Sequence, residues 1–97
     1  MAIIMIMDMP GVTQAQYEEA SDKLTGGKGV PRSPGDLPVP GLITHAAGPT
    51  ENGWVVVDVW ESQEAFEKFG EIMMPLTADW GSSGGKPQIY PAFNTIS

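Results

Sequence analysis

The chain has 97 residues, a length that fits one domain of common size. Five basic against twelve acidic side chains give a net charge of -7, which disfavours nucleic acids and anionic membranes as partners because both repel an acidic protein. The sequence has no cysteine, which excludes disulfides, thiolate catalysis and thiolate metal sites and agrees with a reducing compartment.

The first predicted element is a buried central strand over residues 2–9, a short run rich in Ile and Met that ends at Pro10-Gly11. The apolar opening MAIIMIM has no basic flank and is too short for a signal peptide or a membrane span. We therefore expect a cytoplasmic protein without a membrane segment.

A helix is predicted to begin after Thr13. Thr13 and Gln16 have the spacing of a capping box, and Val12 and Tyr17 have that of a hydrophobic staple. The apolar stripe of this helix includes Tyr17, and the glycine pair at 26–27 is expected to end the helix.

Residues 26–41, GGKGVPRSPGDLPVPG, predict a long irregular loop because repeated Gly and Pro disfavour helix and strand. Loops of this length are either tolerated insertions, which we favour, or lids and binding loops. Lys28 and Arg32 are interpreted as solvated charges, with contact to an anionic ligand as the alternative.

A β-hairpin is predicted around Asn52-Gly53, because Asn and Gly tolerate the positive φ values of short connections and apolar runs flank them. The run from 54 to 60 contains three consecutive valines and suits a strand covered on both faces. With an even-numbered turn, His45 and Asp58 lie on one face of the hairpin, opposite or diagonal to each other. The other face of the second strand is aliphatic and is expected to pack against the helices; it carries Val55, Val57 and Val59.

A second helix is predicted after the N-cap Ser62, and Pro75 is expected to end or kink it near Met74. A flexible connection over 81–87 leads to a last strand over 88–96, in which Pro91 indicates an edge or a bulge. The order βαββαβ predicts an α+β, ferredoxin-like fold, with a four-stranded antiparallel sheet and two helices on one face.

The sequence resembles the dimeric α/β-barrel superfamily, and within it small proteins related to antibiotic-biosynthesis monooxygenases. The resemblance covers nearly the whole chain. It rests on the opening strand, HAAGPT at 45–50, GWVVVDVWES at 53–62, the EAF that begins the second helix, and AFNTI at 92–96.

That resemblance implies a homodimer in which two sheets face each other to form a barrel with the helices outside. It also implies a cavity for a small apolar or aromatic molecule. Some members of the superfamily oxidise polyphenols without metal or flavin, others cleave haem, isomerise or cyclise small molecules, and many have no known activity. The resemblance therefore supports a ligand cavity more strongly than any one reaction.

His45 and Asp58 are the candidate catalytic pair, because a carboxylate orients the imidazole tautomer and stabilises its protonated form. The alternative is a buried histidine that holds a sheet or dimer seam in place. One His and no Cys leave only carboxylates and water as further metal ligands, so no metal and no cofactor are predicted; haem ligation by His45 has no second supporting feature.

Three further residues are candidates for substrate binding. Trp60 shares the face of His45 and Asp58 and either lines an aromatic cavity or belongs to the core. Tyr90 and Asn94 share a face of the last predicted strand and either donate hydrogen bonds to a bound oxyanion or make edge and dimer contacts.

Two hypotheses follow. The first is a cofactor-independent enzyme for a small phenolic or enolisable molecule, with His45 as base and Asp58 orienting it. Oxygenation is the reaction that the resemblance favours, and the same base serves an isomerase or a cyclase. The second is a non-catalytic dimer that binds a small apolar ligand or another protein.

Overall fold

The helices and strands of the described residues follow the predicted type and order. In this computed structural model, residues 1–78, 80 and 86–96 are described. Within them lie β1 (Ile3–Pro10), α1 (Gln14–Leu24), β2 (Leu42–Pro49), β3 (Gly53–Trp60), α2 (Gln63–Leu76) and β4 (Gln88–Pro91), with a 3₁₀ turn at Pro34–Asp36 before β2. The ferredoxin-like βαββαβ plan is therefore confirmed. The connection predicted over 81–87 lies outside the described residues, apart from its last two.

The sheet has the antiparallel order β2-β3-β1-β4, which places β1 at its centre as predicted. Among the strands of the described residues, β4 pairs only with β1, so Pro91 lies in an edge strand. The prediction of a strand through Ile96 was wrong, because β4 ends at Pro91. Since Pro91 lies opposite Ile3 and the amide of Ala92 already donates to Ala2, β1 has almost no chain left to pair with residues 93–96.

Both helices begin at the predicted caps. Thr13 and Gln16 form the full capping box, with N···O distances of 2.9 and 3.2 Å, and Ser62 Oγ accepts from the amide of Ala65 at 3.1 Å. α1 ends just before the predicted glycines. The amide of Gly27 donates to the carbonyl oxygen of Asp22 at 2.8 Å, and Gly27 has a φ of 98°. α2 continues through Pro75 to Leu76, two residues beyond the predicted end.

The β2–β3 hairpin has the predicted even-numbered turn, and His45 lies directly opposite Asp58. The prediction that Asn52 and Gly53 adopt positive φ was wrong. The described non-glycine residues all have negative φ, and Gly53 is not among the glycines with positive φ. Gly53 is instead needed for close approach to the end of β1. A Cβ at Gly53 would lie 2.6 Å from the backbone nitrogen of Gly11 and closer still to the carbonyl oxygen of Met9.

Gly53→Ala is therefore expected to lower the free energy of unfolding by about 1–3 kcal/mol, because the added methyl meets backbone that cannot move away cheaply. Gly48→Ala, in the same hairpin, is the control: nothing lies within 4 Å of its added Cβ. Its free energy of unfolding should be unchanged or higher by up to about 1 kcal/mol. Urea unfolding of the two variants compares them, and equal losses would contradict the close-approach explanation.

The helices cover the opposite sheet face from the one predicted. They pack on the side of Trp54, Asp58 and Trp60, where the Trp60 ring lies 6.3 Å from Phe66 between centroids, while Val57 on the aliphatic face is 36% exposed. Two tryptophans bury more apolar area than three valines do, and hydrogen bonds compensate the buried carboxylate of Asp58. The polar pair therefore lies between the sheet and the helices.

Candidate active site

A cavity of about 1040 Å³ lies between the sheet and the two helices. Most of its wall is apolar and is contributed by β1, β3 and both helices. The apolar side chains include Met5, Met7, Met9, Ala20, Leu24, Val56, Phe66, Phe69 and Met73. Methionine side chains adapt to ligands of different shape. The cavity thus has the size and lining of a site for a small, largely apolar molecule.

His45 and Asp58 meet at the wall of this cavity. His45 Nδ1 lies 2.5 Å from Asp58 Oδ1, and Asp58 Oδ2 accepts a hydrogen bond from Trp60 Nε1 at 3.2 Å. The side chain of Asp58 is only 3% exposed, whereas that of His45 is 28% exposed. Because an ionised carboxylate only accepts hydrogen bonds, the proton of the neutral imidazole lies on Nδ1 and Nε2 is left as an acceptor.

The Nε2 atom faces Tyr17, which we assigned from the sequence only to the hydrophobic staple and the apolar stripe of α1. Tyr17 Oη lies 2.8 Å from His45 Nε2, and the two rings are nearly parallel, with 8° between their planes. The two residues are 28 positions apart, so their contact depends on how α1 lies across the sheet. The signal that the sequence offered was the hydroxyl of Tyr17, because Leu or Phe would form the hydrophobic staple equally well without it.

Burial raises the pKa of the Tyr17 phenol above its ordinary value; the Ser21 hydroxyl opposes this shift and the charge of Asp58 adds to it. Tyr17 is therefore a neutral hydrogen-bond donor across the physiological range. Its hydroxyl donates to His45 Nε2, which completes the chain Asp58, His45, Tyr17 from the interior of the sheet to the cavity wall.

Alkaline pH is expected to destabilise the fold through Tyr17. As pH rises past the ordinary tyrosine pKa of 10.0, Tyr17 loses its phenol proton in the unfolded chain before it does so in the folded protein. The contribution of Tyr17 to the free energy of unfolding is therefore complete below that pH, and it is lost as the pH approaches the raised pKa of the folded state. Urea unfolding at about pH 8 and about pH 11 should show a smaller loss for Tyr17→Phe than for wild type. An equal loss in both proteins would show that the Tyr17 hydroxyl is not responsible.

The structure brings together only part of the predicted substrate-binding set. Trp60 contacts Asp58 but is fully buried and does not line the cavity. Tyr90 pairs with Ile4 on the other face of the sheet, and Asn94 lies exposed beyond the end of β4. The predicted grouping of Tyr90 and Asn94 with His45 is thus not formed within one chain, because the helices cover the face opposite to Tyr90.

The Gly/Pro-rich loop at 26–41 forms one wall of the cavity. Its Leu37 and Val39 pack against the core, and the cavity is lined by Arg32, Leu37 and three neighbouring loop residues, Pro31, Ser33 and Pro34. Asp22 Oδ1 accepts from the amide of Gly29 at 2.9 Å, which ties the start of the loop to α1. The structure therefore favours a binding loop over the insertion that we preferred from sequence. Lys28 is exposed and does not line the cavity.

Among the residues that the structure describes, no three His, Asp or Glu side chains form a group that could hold a metal ion. None of the helices in the described part of the chain is long and apolar enough to cross a membrane.

Two solved structures with this fold are of SnoaB, a cofactor-independent oxygenase from Streptomyces nogalater. An asparagine-to-alanine variant of SnoaB matches with a TM-score of 0.57 and 13% sequence identity, over 98% of this chain and 95% of that chain. A second SnoaB structure matches with a TM-score of 0.53 and 14% identity, over 98% and 93%. These similarities confirm the predicted fold. No protein-family model and no curated protein matches the sequence.

Proposed function

We propose that the protein is a cofactor-independent, oxygenase-like enzyme. It binds a small phenolic or enolisable molecule in the cavity between sheet and helices and removes a proton from it. The observation that carries this proposal is the buried Asp58 carboxylate, which holds His45 with its acceptor nitrogen directed to the Tyr17 hydroxyl at the wall of an apolar cavity. A base held by a carboxylate at the edge of an apolar cavity is the arrangement that general-base catalysis needs.

Deprotonation is the minimum chemistry that the proposed reaction requires. Loss of a proton converts a phenol or ketone into an electron-rich phenolate or enolate, which can give electrons to dioxygen. SnoaB, which shares the fold over nearly the whole chain, is a cofactor-independent oxygenase and supports this version. The same base would serve an isomerase or a cyclase, in which the enolate reacts without oxygen.

We further propose that the protein acts as a homodimer in the cytoplasm. The sheet face away from the helices is apolar and only partly buried in one chain; it carries Ile4, Ile6, Val55, Val57 and Val59. An apolar sheet face needs a covering layer, and a second copy offers the same face in return. Tyr90 lies on this face, which fits its alternative role as a dimer contact. Native mass spectrometry tests the dimer, and a monomer would contradict it.

Oxygen consumption tests the proposed reaction. A dihydroxynaphthalene serves as a fused-ring phenol, and a chelator suppresses oxidation by stray metal ions. Wild type should consume oxygen, and His45→Ala should consume it at least about 100-fold more slowly because the base is removed. Glu51→Ala, in the exposed turn of the same hairpin, is the control and should match wild type.

Two results would contradict the enzyme proposal. Equal consumption by His45→Ala and wild type would exclude His45 as the base. Tight binding of the phenol, or of an isomerisable ketone, without any conversion would instead support the second hypothesis, a non-catalytic dimer that holds a small apolar ligand in the same cavity.

A further inference from the structure

The acceptor nitrogen of His45 is not free to bond with a molecule in the cavity. A neutral imidazole has one donor and one acceptor nitrogen. Nδ1 donates to Asp58, and Nε2 accepts from the Tyr17 hydroxyl at 2.8 Å. A substrate can therefore reach His45 directly only if Tyr17 leaves its position.

Tyr17 is held in that position from several sides. It lies in the first half of α1, whose start is set by the capping box at Thr13. Its ring packs on Trp54, with 5.1 Å between centroids, and lies nearly parallel to the His45 ring. Its hydroxyl keeps acceptor capacity after donating to Nε2, and the residue lines the cavity.

We propose that Tyr17 is the catalytic residue that touches the substrate and that relays the substrate proton to His45. This inference rests on the proposed function, because it identifies the Tyr17 hydroxyl as the group through which the proposed base, His45, receives the substrate proton. The C–H or O–H bond of the substrate breaks, and its proton moves to Tyr17 Oη. The original hydroxyl proton of Tyr17 moves to His45 Nε2. The electron pair stays on the substrate as an enolate or phenolate, and Asp58 faces the new imidazolium.

The electrostatics of the chain suit such a relay. Tyr17 begins and ends the step as a neutral phenol, so no charge is left on the half-buried ring. The positive charge forms on His45, in direct contact with the buried carboxylate of Asp58. The acidic atom of the substrate must then lie beside α1 rather than beside β2, because it bonds to the hydroxyl and not to the imidazole.

Loss of deuterium from 2-tetralone labelled at its α carbons measures the proton transfer without requiring oxygen. Wild type should release the label, and His45→Ala should do so at least about 100-fold more slowly. Tyr17→Phe keeps the ring but removes the hydroxyl, so its kcat should fall at least about 10-fold with little change in KM. Glu19→Gln, at an exposed position of α1, is the control and should retain the wild-type rate.

Replacing Tyr17 by 3-fluorotyrosine separates a chemical role from a structural one. The ring and its hydrogen bond remain, but the phenol becomes more acidic, so a relay predicts an altered kcat and a shifted pH profile, while a purely structural role predicts neither. Wild-type kcat in Tyr17→Phe, or an unchanged profile in the fluorinated protein, would overturn the relay and leave His45 as the base. No label release by wild type would overturn the proposed function itself.

Discussion

Replacing Asp58 with asparagine is expected to lower turnover of a phenolic or enolisable substrate by two to four orders of magnitude, about 10²–10⁴-fold, while the fold is retained. The amide has nearly the shape of the carboxylate but carries no charge. It can also present its NH₂ group to His45 Nδ1, which would place the ring proton on Nε2. The ring would then donate towards Tyr17 instead of accepting from it, and the new imidazolium would face no negative charge.

The measurement is kcat for label release or oxygen consumption, together with circular dichroism to confirm the fold. Glu51→Gln is the matched control, because it makes the same carboxylate-to-amide change in the exposed turn of the hairpin that carries Asp58. A retained kcat in Asp58→Asn would show that the carboxylate holds the sheet in place without assisting the base. That outcome would favour the structural interpretation of His45 and Asp58.

Removing the Trp60 side chain should have the largest effect on stability. Trp60 is fully buried between the sheet and α2, with Phe66 and Phe69 packed against it. Trp60→Ala is expected to lower the free energy of unfolding by about 3–5 kcal/mol. Trp60→Phe retains most of the packing but leaves Asp58 Oδ2 without its donor, at a cost of about 1–3 kcal/mol.

Trp54→Phe is the control for Trp60→Phe. Trp54 is also buried in the sheet face under the helices, but its Nε1 has no hydrogen-bond partner among the described residues. Its replacement should change the free energy of unfolding by less than about 1 kcal/mol. Urea unfolding compares the two, and equal losses would show that the bond to Asp58 is unimportant. A raised KM in Trp60→Phe with unchanged stability would restore the predicted contact between Trp60 and substrate.

The hairpin that carries the candidate pair was predictable because it depends on short-range geometry. Alternation along a strand and an even-numbered turn suffice to place His45 and Asp58 on one face, opposite or diagonal to each other, and the structure has them directly opposite. The N-caps at Thr13 and Ser62 were predictable for the same reason, since each needs only residues within one helical turn.

The rest of the site depends on packing between distant segments. Alternation shows that Trp54, Asp58 and Trp60 share a face but not which face the helices cover. Whether Tyr17 meets His45 depends on the position of α1 over the sheet, which periodicity within the helix does not determine. The place of the loop at 26–41 in the cavity wall was not predicted, because Gly and Pro indicate irregular backbone without showing where that backbone lies.

The most direct test of the hydrogen-bond chain Asp58, His45, Tyr17 is ¹⁵N NMR of the imidazole ring, because His45 is the single histidine of the chain and its two nitrogen signals can be assigned without ambiguity. At a pH where the ring is neutral, we expect a proton on Nδ1 and an unprotonated Nε2 that accepts a hydrogen bond. In Tyr17→Phe, the Nε2 signal should move towards that of a free acceptor. A wild-type ring protonated on Nε2 would contradict the assignment of His45 as the base, since His45 would then have no lone pair directed at Tyr17 or the cavity.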